Sequence, residues 1–140
     1  MNFKIIILVT IVCFCQTSFA QTKEIDSLSN LLIAPKQDTS SVIRMISLSK
    51  ALVEKNRYDT ALKYATQALS LSEKIAYLKG IASSHTAIGN AFSGLLKYAD
   101  ALKNYTEAFN IHMKRGDKTA IAESYYNIGS ANYKLDRDPE

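Results

Sequence analysis

His85 and His112 are the two histidines of this 140-residue chain, so acid–base or metal chemistry would be sought there first. They stand 27 positions apart on separate helical patterns, and both cysteines, Cys13 and Cys15, belong to an N-terminal apolar run. That spacing fits no zinc site. His85 falls on the apolar face of its pattern, where a packed or half-buried role is expected. Asp136, Asp138 and Glu140 alternate like calcium-loop acids, but the loop's glycine and remaining ligands are missing. They read as a solvated turn between helices. Gly89 to Gly94 lacks the Lys-Ser or Lys-Thr that completes a phosphate loop. Asn104-Tyr105-Thr106 satisfies the glycosylation pattern, yet Tyr105 reads as buried on a helix, whereas acceptor asparagines favour exposed loops. No catalytic residue, metal ligand or cofactor site is expected, and the chain reads as a non-enzyme.

The elements that carry these residues recur. Shifted by forty residues, Tyr58-Asp59-Thr60-Ala61-Leu62-Lys63 lies over Tyr98-Ala99-Asp100-Ala101-Leu102-Lys103, and Ile88-Gly89 lies over Ile128-Gly129. Across 58–76 with 98–116, and 81–100 with 121–140, fourteen of 39 pairs are identical. Ordinary residue usage gives roughly one match in fifteen, so a periodic array is indicated. Each period holds two helical patterns. Ile81, His85, Ile88 and Phe92 mark one face of a first helix. Ala101, Leu102, Tyr105, Ala108 and Phe109 mark a second. Leu96-Lys97 is the tight turn between them, Gly116 suits a left-handed helix end, and Asp117 suits the next cap. The third unit repeats the first helix with Tyr125, Ile128, Ala131 and Leu135. The first unit is the most divergent, with Met45, Leu48 and Leu52, then Ala61, Ala65, Ala68 and Leu69.

This register resembles the tetratricopeptide repeat family. His85, Ile88-Gly89 and Phe92, followed by Ala101, Tyr105 and Ala108, match that family's large residue, Leu-Gly-like pair and aromatic, then alanine, aromatic and alanine. Tyr125 and Ile128-Gly129 repeat the start, with Asn132 where the aromatic is expected and Tyr133 beside it. The first unit has Ser49 in place of glycine. The closing proline is absent, as in the long repeats of kinesin light chains and Leu-Gly-Asn adaptors. The resemblance covers residues 41 to 140. It implies an all-α, right-handed solenoid of antiparallel helix pairs, with a concave groove lined by the first helix of each pair. Gly89, Gly129 and the alanines would then let helix axes approach within about 8–10 Å.

On that scheme Thr86, Asn90 and Ser93 of the second unit, with Tyr126, Asn127 and Tyr133 of the third, are the candidate groove residues. An asparagine amide both donates to and accepts from an extended peptide, and in the resembling families asparagines on this helix do so. Tyr105 and Tyr125 sit at packing positions, Tyr58 and Tyr98 at helix starts, so most of the eight tyrosines are expected to be structural.

The N-terminus reads differently. Lys4 precedes an apolar run of eleven residues, Ile5 to Cys15, and Ser18 and Ala20 are small where a signal peptidase cuts. Eleven residues at about 1.5 Å each span roughly half a bilayer. Residues 1–20 are therefore expected to be a cleaved signal, with an uncleaved N-terminal anchor as the alternative, and the rest to be exported, periplasmic or extracellular. Cleavage after Ala20 removes both cysteines and Lys4, lowering the net charge from +4 to +3. So small and scattered an excess gives nucleic-acid binding no support. Residues 21–37 hold a short helix (Ile25, Leu28, Leu31, Leu32) and a linker, and 38–140 hold the array: units 41–80, 81–120 and an incomplete 121–140. Asp138-Pro139 reads as a helix start, so the array is expected to be cut in mid-repeat, with an uncapped end prone to self-association.

The function expected is protein or peptide binding by a scaffold. The resemblance extends this to the sensor region of an exported or membrane-tethered bacterial signalling protein, whose output domain would follow Glu140. The rival readings are the non-catalytic part of an enzyme whose catalytic domain lies beyond Glu140, and a structural spacer in an envelope complex.

Overall fold

The computed structural model describes residues 25–27, 29 and 37–137. The signal expected at 1–20, Leu28, Leu31 and Leu32 of the leading helix, and the helix start expected at Asp138-Pro139 lie outside these residues. Ile25–Ser27 and Ser29 are helical, and Ile25 packs against Leu48, Leu52, Ala61 and Ala91. Five helices follow: α1 (Thr39–Glu54), α2 (Tyr58–Lys74), α3 (Leu78–Gly94), α4 (Tyr98–Arg115) and α5 (Lys118–Arg137). Among the described residues there is no strand. The helices pack in series, each on its predecessor, and α1 also packs on α3.

Four joints of one design set this order. Asn56, Ala76, Leu96 and Gly116 take φ of 57°, 53°, 64° and 67°, so a left-handed residue recurs every twenty positions. At each joint the next residue donates its backbone N–H five positions back. Arg57 bonds Leu52 O (2.9 Å), Tyr77 bonds Ser72 O (2.8 Å), Lys97 bonds Phe92 O (2.9 Å) and Asp117 bonds His112 O (3.2 Å). The left-handed residue itself donates three positions back, as from Asn56 to Val53 O (2.9 Å) and Leu96 to Ser93 O (3.2 Å). These paired bonds close a helix end by satisfying its last carbonyls. The same residue then opens the next helix: the carbonyls of Arg57, Tyr77, Lys97 and Asp117 accept from Ala61, Ile81, Ala101 and Ile121. One residue thus ends one helix and starts another, which keeps each connection short and neighbouring helices in contact. Asp117 adds a side-chain cap, accepting from Ala120 N at 3.2 Å. Asp38 caps α1 through Ser41 N at 2.8 Å, and that bond holds its carboxyl below the usual range.

The packing repeats with the joints. Residues 61–74 and 101–114 share one pattern of buried, half-buried and exposed positions, with Ala61, Ala65, Ala68 and Ser72 standing where Ala101, Tyr105, Ala108 and His112 stand. Small residues on these faces admit larger partners from the neighbouring helices: Leu48 and Leu52 meet Ala61 and Ala91, and Ile88 meets Ala65. Gly89 is a close approach, since a Cβ there would lie 2.5 Å from the Tyr105 ring, and Gly80 and Gly94 are as tight against Tyr77 and Tyr58. Ser49, its counterpart in the first unit, is buried and donates to Ala61 O at 2.9 Å.

Three expectations for the last unit need correction. Tyr125, placed by register at a packing position, is 61% exposed and meets Phe109 edge to face, with ring centroids 4.9 Å apart. A Cβ on Gly129 would meet nothing within 4 Å, so this glycine marks no helix crossing. Asp136 is helical, because α5 runs on to Arg137 instead of turning. The first two follow from one cause: among the described helices α5 packs closely on α4 alone.

Candidate functional site

The first helices of the three units, α1, α3 and α5, share one face. There α1 and α3 pack directly, whereas α3 and α5 make no comparably close contact. A cavity of about 260 Å³ opens across these helices. Ile46, Ser49, Lys50 and Val53 of α1, and Lys79, Ser83, Thr86, Ala87 and Asn90 of α3, line one part of it. Asp117, Ala120 and Glu123 of the last joint and α5 line another, and His112 comes from the final turn of α4.

Thr86 and Asn90, two of the six groove candidates, lie in this cavity. Carrying the second-unit candidates back by forty residues gives Ile46, Lys50 and Val53, all of which line it too. That step was open to sequence reasoning, because the register was already established. Ser93 instead borders a shallower hollow of about 380 Å³, with Tyr58, Tyr98 and Lys134, and the Lys134 ammonium lies 5.4 Å from the Tyr98 ring centre. Tyr126 and Tyr133 are 75% and 60% exposed and line neither space; Asn127 is half-buried and also outside both. The Tyr133 hydroxyl accepts from Arg137 at 2.9 Å on the same helix. The packing set Ile88, Gly89, Ala101, Tyr105 and Ala108 is buried, with Phe92 and Ile128 half-buried.

Asn90 is oriented from below. Tyr105 Oη donates to its Oδ1 at 2.8 Å, which leaves the amide nitrogen as a free donor. Burial pushes the Tyr105 phenol up to about 12, against the opposing pull of the Ser93 hydroxyl, so it stays protonated as that donor. Thr86 is committed to its own helix, donating to Ala82 O at 3.2 Å. Lys50, Lys79 and Glu123 are exposed, and none forms an ion pair or hydrogen bond with another described residue. Opposite charges therefore face one cavity without neutralising each other: cations from α1 and α3, anions from the α5 side.

His112 was the least expected member. It is 7% exposed and its Nδ1 has no hydrogen-bond partner. Leaving a buried polar atom unmatched costs about 1–3 kcal/mol. Burial pulls its pKa down, Asp117 pulls the other way, Arg115 reinforces the fall and Glu123 opposes it. The other histidine, His85, is half-buried, with Nδ1 3.1 Å from Asn104 Oδ1, while Asn104 donates to Asp100 O at 2.9 Å. Among the described residues no three His, Cys, Asp or Glu side chains group as metal ligands, and no helix is long and apolar enough to cross a membrane. Compared with models of known families and with curated proteins, the chain matches none.

Proposed function

We propose that this chain is a non-catalytic binding scaffold of the tetratricopeptide type, taking a protein or peptide on the face shared by α1, α3 and α5. The observation that supports this best is the recurrence of one joint every twenty residues, together with the shared burial pattern of α2 and α4. Helix pairs repeated in this way form quasi-one-dimensional arrays whose stacked first helices present an extended surface. The cavity on that surface combines apolar walls with free donors and charges, as recognition sites do. In this reading Asn90 bonds the partner's backbone, and the exposed tyrosines Tyr126 and Tyr133 extend the contact or mediate association with a second copy. The leading sequence pattern supports export with cleavage after Ala20, and the family resemblance supports a place in a larger signalling protein.

Two measurements test the reading. A displayed library of twelve-residue peptides should yield binders, and Asn90→Ala together with Thr86→Arg should weaken them at least tenfold without shifting Tm appreciably. Binders indifferent to both changes would place recognition elsewhere. Expressed with its own start in a bacterial host, the protein should be recovered outside the cytoplasm beginning at Gln21. An intact Met1 on cytoplasmic protein refutes export.

A further inference from the structure

The walls of the cavity across α1, α3 and α5 differ in sign, each sign coming from different helices. Lys50 and Lys79 face it from the first two units, while Asp117 and Glu123 face it from the last joint and α5. Lys50, Lys79 and Glu123 have no partner among the described residues, and Asp117 spends one carboxylate oxygen on its cap with Ala120. Asn90 has its acceptor engaged by Tyr105 and its amide nitrogen free. The Nδ1 of His112, in a side chain more than nine-tenths buried, lacks a partner at the same cavity.

We infer that this cavity binds a small zwitterion, a free α-amino acid. Its carboxylate is taken by Lys50, Lys79 and the Asn90 amide, and its ammonium by Asp117 and Glu123. His112, whose Nδ1 has no partner, lines the same cavity and offers the ammonium a further acceptor. The volume agrees with a solute of this size. At about 260 Å³ the cavity lies just below the range of roughly 300–1,000 Å³ that holds drug-sized ligands. The apolar stretch of Ile46, Val53, Ala87 and Ala120 leaves room for a side chain of modest length. The charge pattern favours an occupant that carries both signs within its own small volume, which a free amino acid does through its backbone groups alone. Recognition of opposite charges a few ångströms apart is specific, since a ligand lacking either group leaves desolvated protein charge behind.

The inference rests on the reading of this face as a recognition surface, but it names a different occupant, so the two fail separately. Leucine, serine and glycine share the zwitterion and differ in side chain. Each is titrated into the 140-residue protein and followed by two-dimensional amide NMR and calorimetry. At least one should bind at millimolar concentration or tighter, moving resonances of Ile46, Ala87 and Glu123. N-acetyl-leucine, leucinamide and N-acetyl-leucinamide should bind at least tenfold more weakly than leucine. Lys50→Glu and Glu123→Lys, both at exposed positions, should each weaken amino-acid binding at least tenfold while Tm is retained, and Lys103→Glu on α4 should leave it unchanged. No shift with any of the three amino acids overturns the inference, as does equal binding of the doubly blocked derivative. If displayed peptides bind and amino acids do not, only this inference falls. If amino acids bind and peptides do not, the scaffold reading falls and this site stands.

Discussion

Gly89 and Gly129 occupy the same place in the sequence pattern and opposite places in the structure. A methyl group on Gly89 would enter the Tyr105 ring at 2.5 Å, while one on Gly129 would meet open space. Gly89→Ala should therefore cost about 1–3 kcal/mol through overpacking. Gly129→Ala should stabilise by up to about 1 kcal/mol through helix propensity. Urea midpoints of the two variants measured side by side check the opposite signs. If both destabilise, α5 has a neighbour over Gly129. His112 supplies the second residue-scale expectation. Burial holds its pKa below 6.5, so the neutral form is favoured on folding. Its contribution is then complete above pH 6.5 and is lost as pH falls through the lowered folded value. The groups bearing on it are Asp117, Arg115 and Glu123, with Lys50 and Lys79 across the cavity. Between pH 7 and pH 5 the protein should lose more Tm than His112→Ser does, serine being the residue of the equivalent position, Ser72. Parallel losses would show that His112 does not sense the change.

At the scale of the helix and its joint, the sequence pattern was informative where residue preference and wiring agree. Gly116 takes the left-handed conformation at a helix end and Asp117 caps the next helix, as their types suggest. Leu96-Lys97 forms the tight turn that the forty-residue alignment indicates. Ala76 and Leu96 were not legible as left-handed, because nothing about either residue type favours that conformation. The paired backbone bonds at the joint and the packing of the flanking helices impose it. Since Leu96 is 59% exposed, its side chain contributes little packing in return. Left-handed backbone costs a non-glycine residue about 1–2 kcal/mol, and glycine gives back about 0.5–1 in lost chain freedom. Leu96→Gly should thus stabilise by about 0.5–1 kcal/mol, a rise of a few degrees in Tm. A fall in Tm would mean that the Leu96 side chain holds the joint together.

For the whole molecule, order along the chain becomes order in stability. α3 packs on α1, α2 and α4, whereas α5 packs closely on α4 alone. Local opening is easiest where contacts are fewest. Amide exchange should accordingly be faster across 118–137 than across 78–94, and equal protection would show a support for α5 that its packing lacks. The same isolation explains the misread tyrosine. Register alone assigns Tyr125 to a packed position, but burial needs a neighbouring helix as well as the right phase. His112 is the opposite case: its spacing after Ala101, Tyr105 and Ala108 marks it as inward, and from sequence alone it was assigned no face. Sizing at rising concentration checks whether Tyr125, Tyr126 and Tyr133, all exposed on α5, draw molecules together. Tyr126→Ser with Tyr133→Ser should reduce any association, and a concentration-independent monomer would remove it from consideration.

The uniform joints also govern how such a chain can change in length. Because each joint closes and opens a helix with the same backbone bonds, a chain cut at one joint has ends that suit any other. Duplicating or deleting the stretch between alternate joints, forty residues, returns every later helix to its own side and direction. The stretch between adjacent joints, twenty residues, would instead reverse all that follows and exchange inner faces for outer ones. Length is in this sense quantised: in-frame changes survive as helix pairs, and the reach of the face shared by α1, α3 and α5 is set by how many pairs are counted out rather than by any redesign of the core.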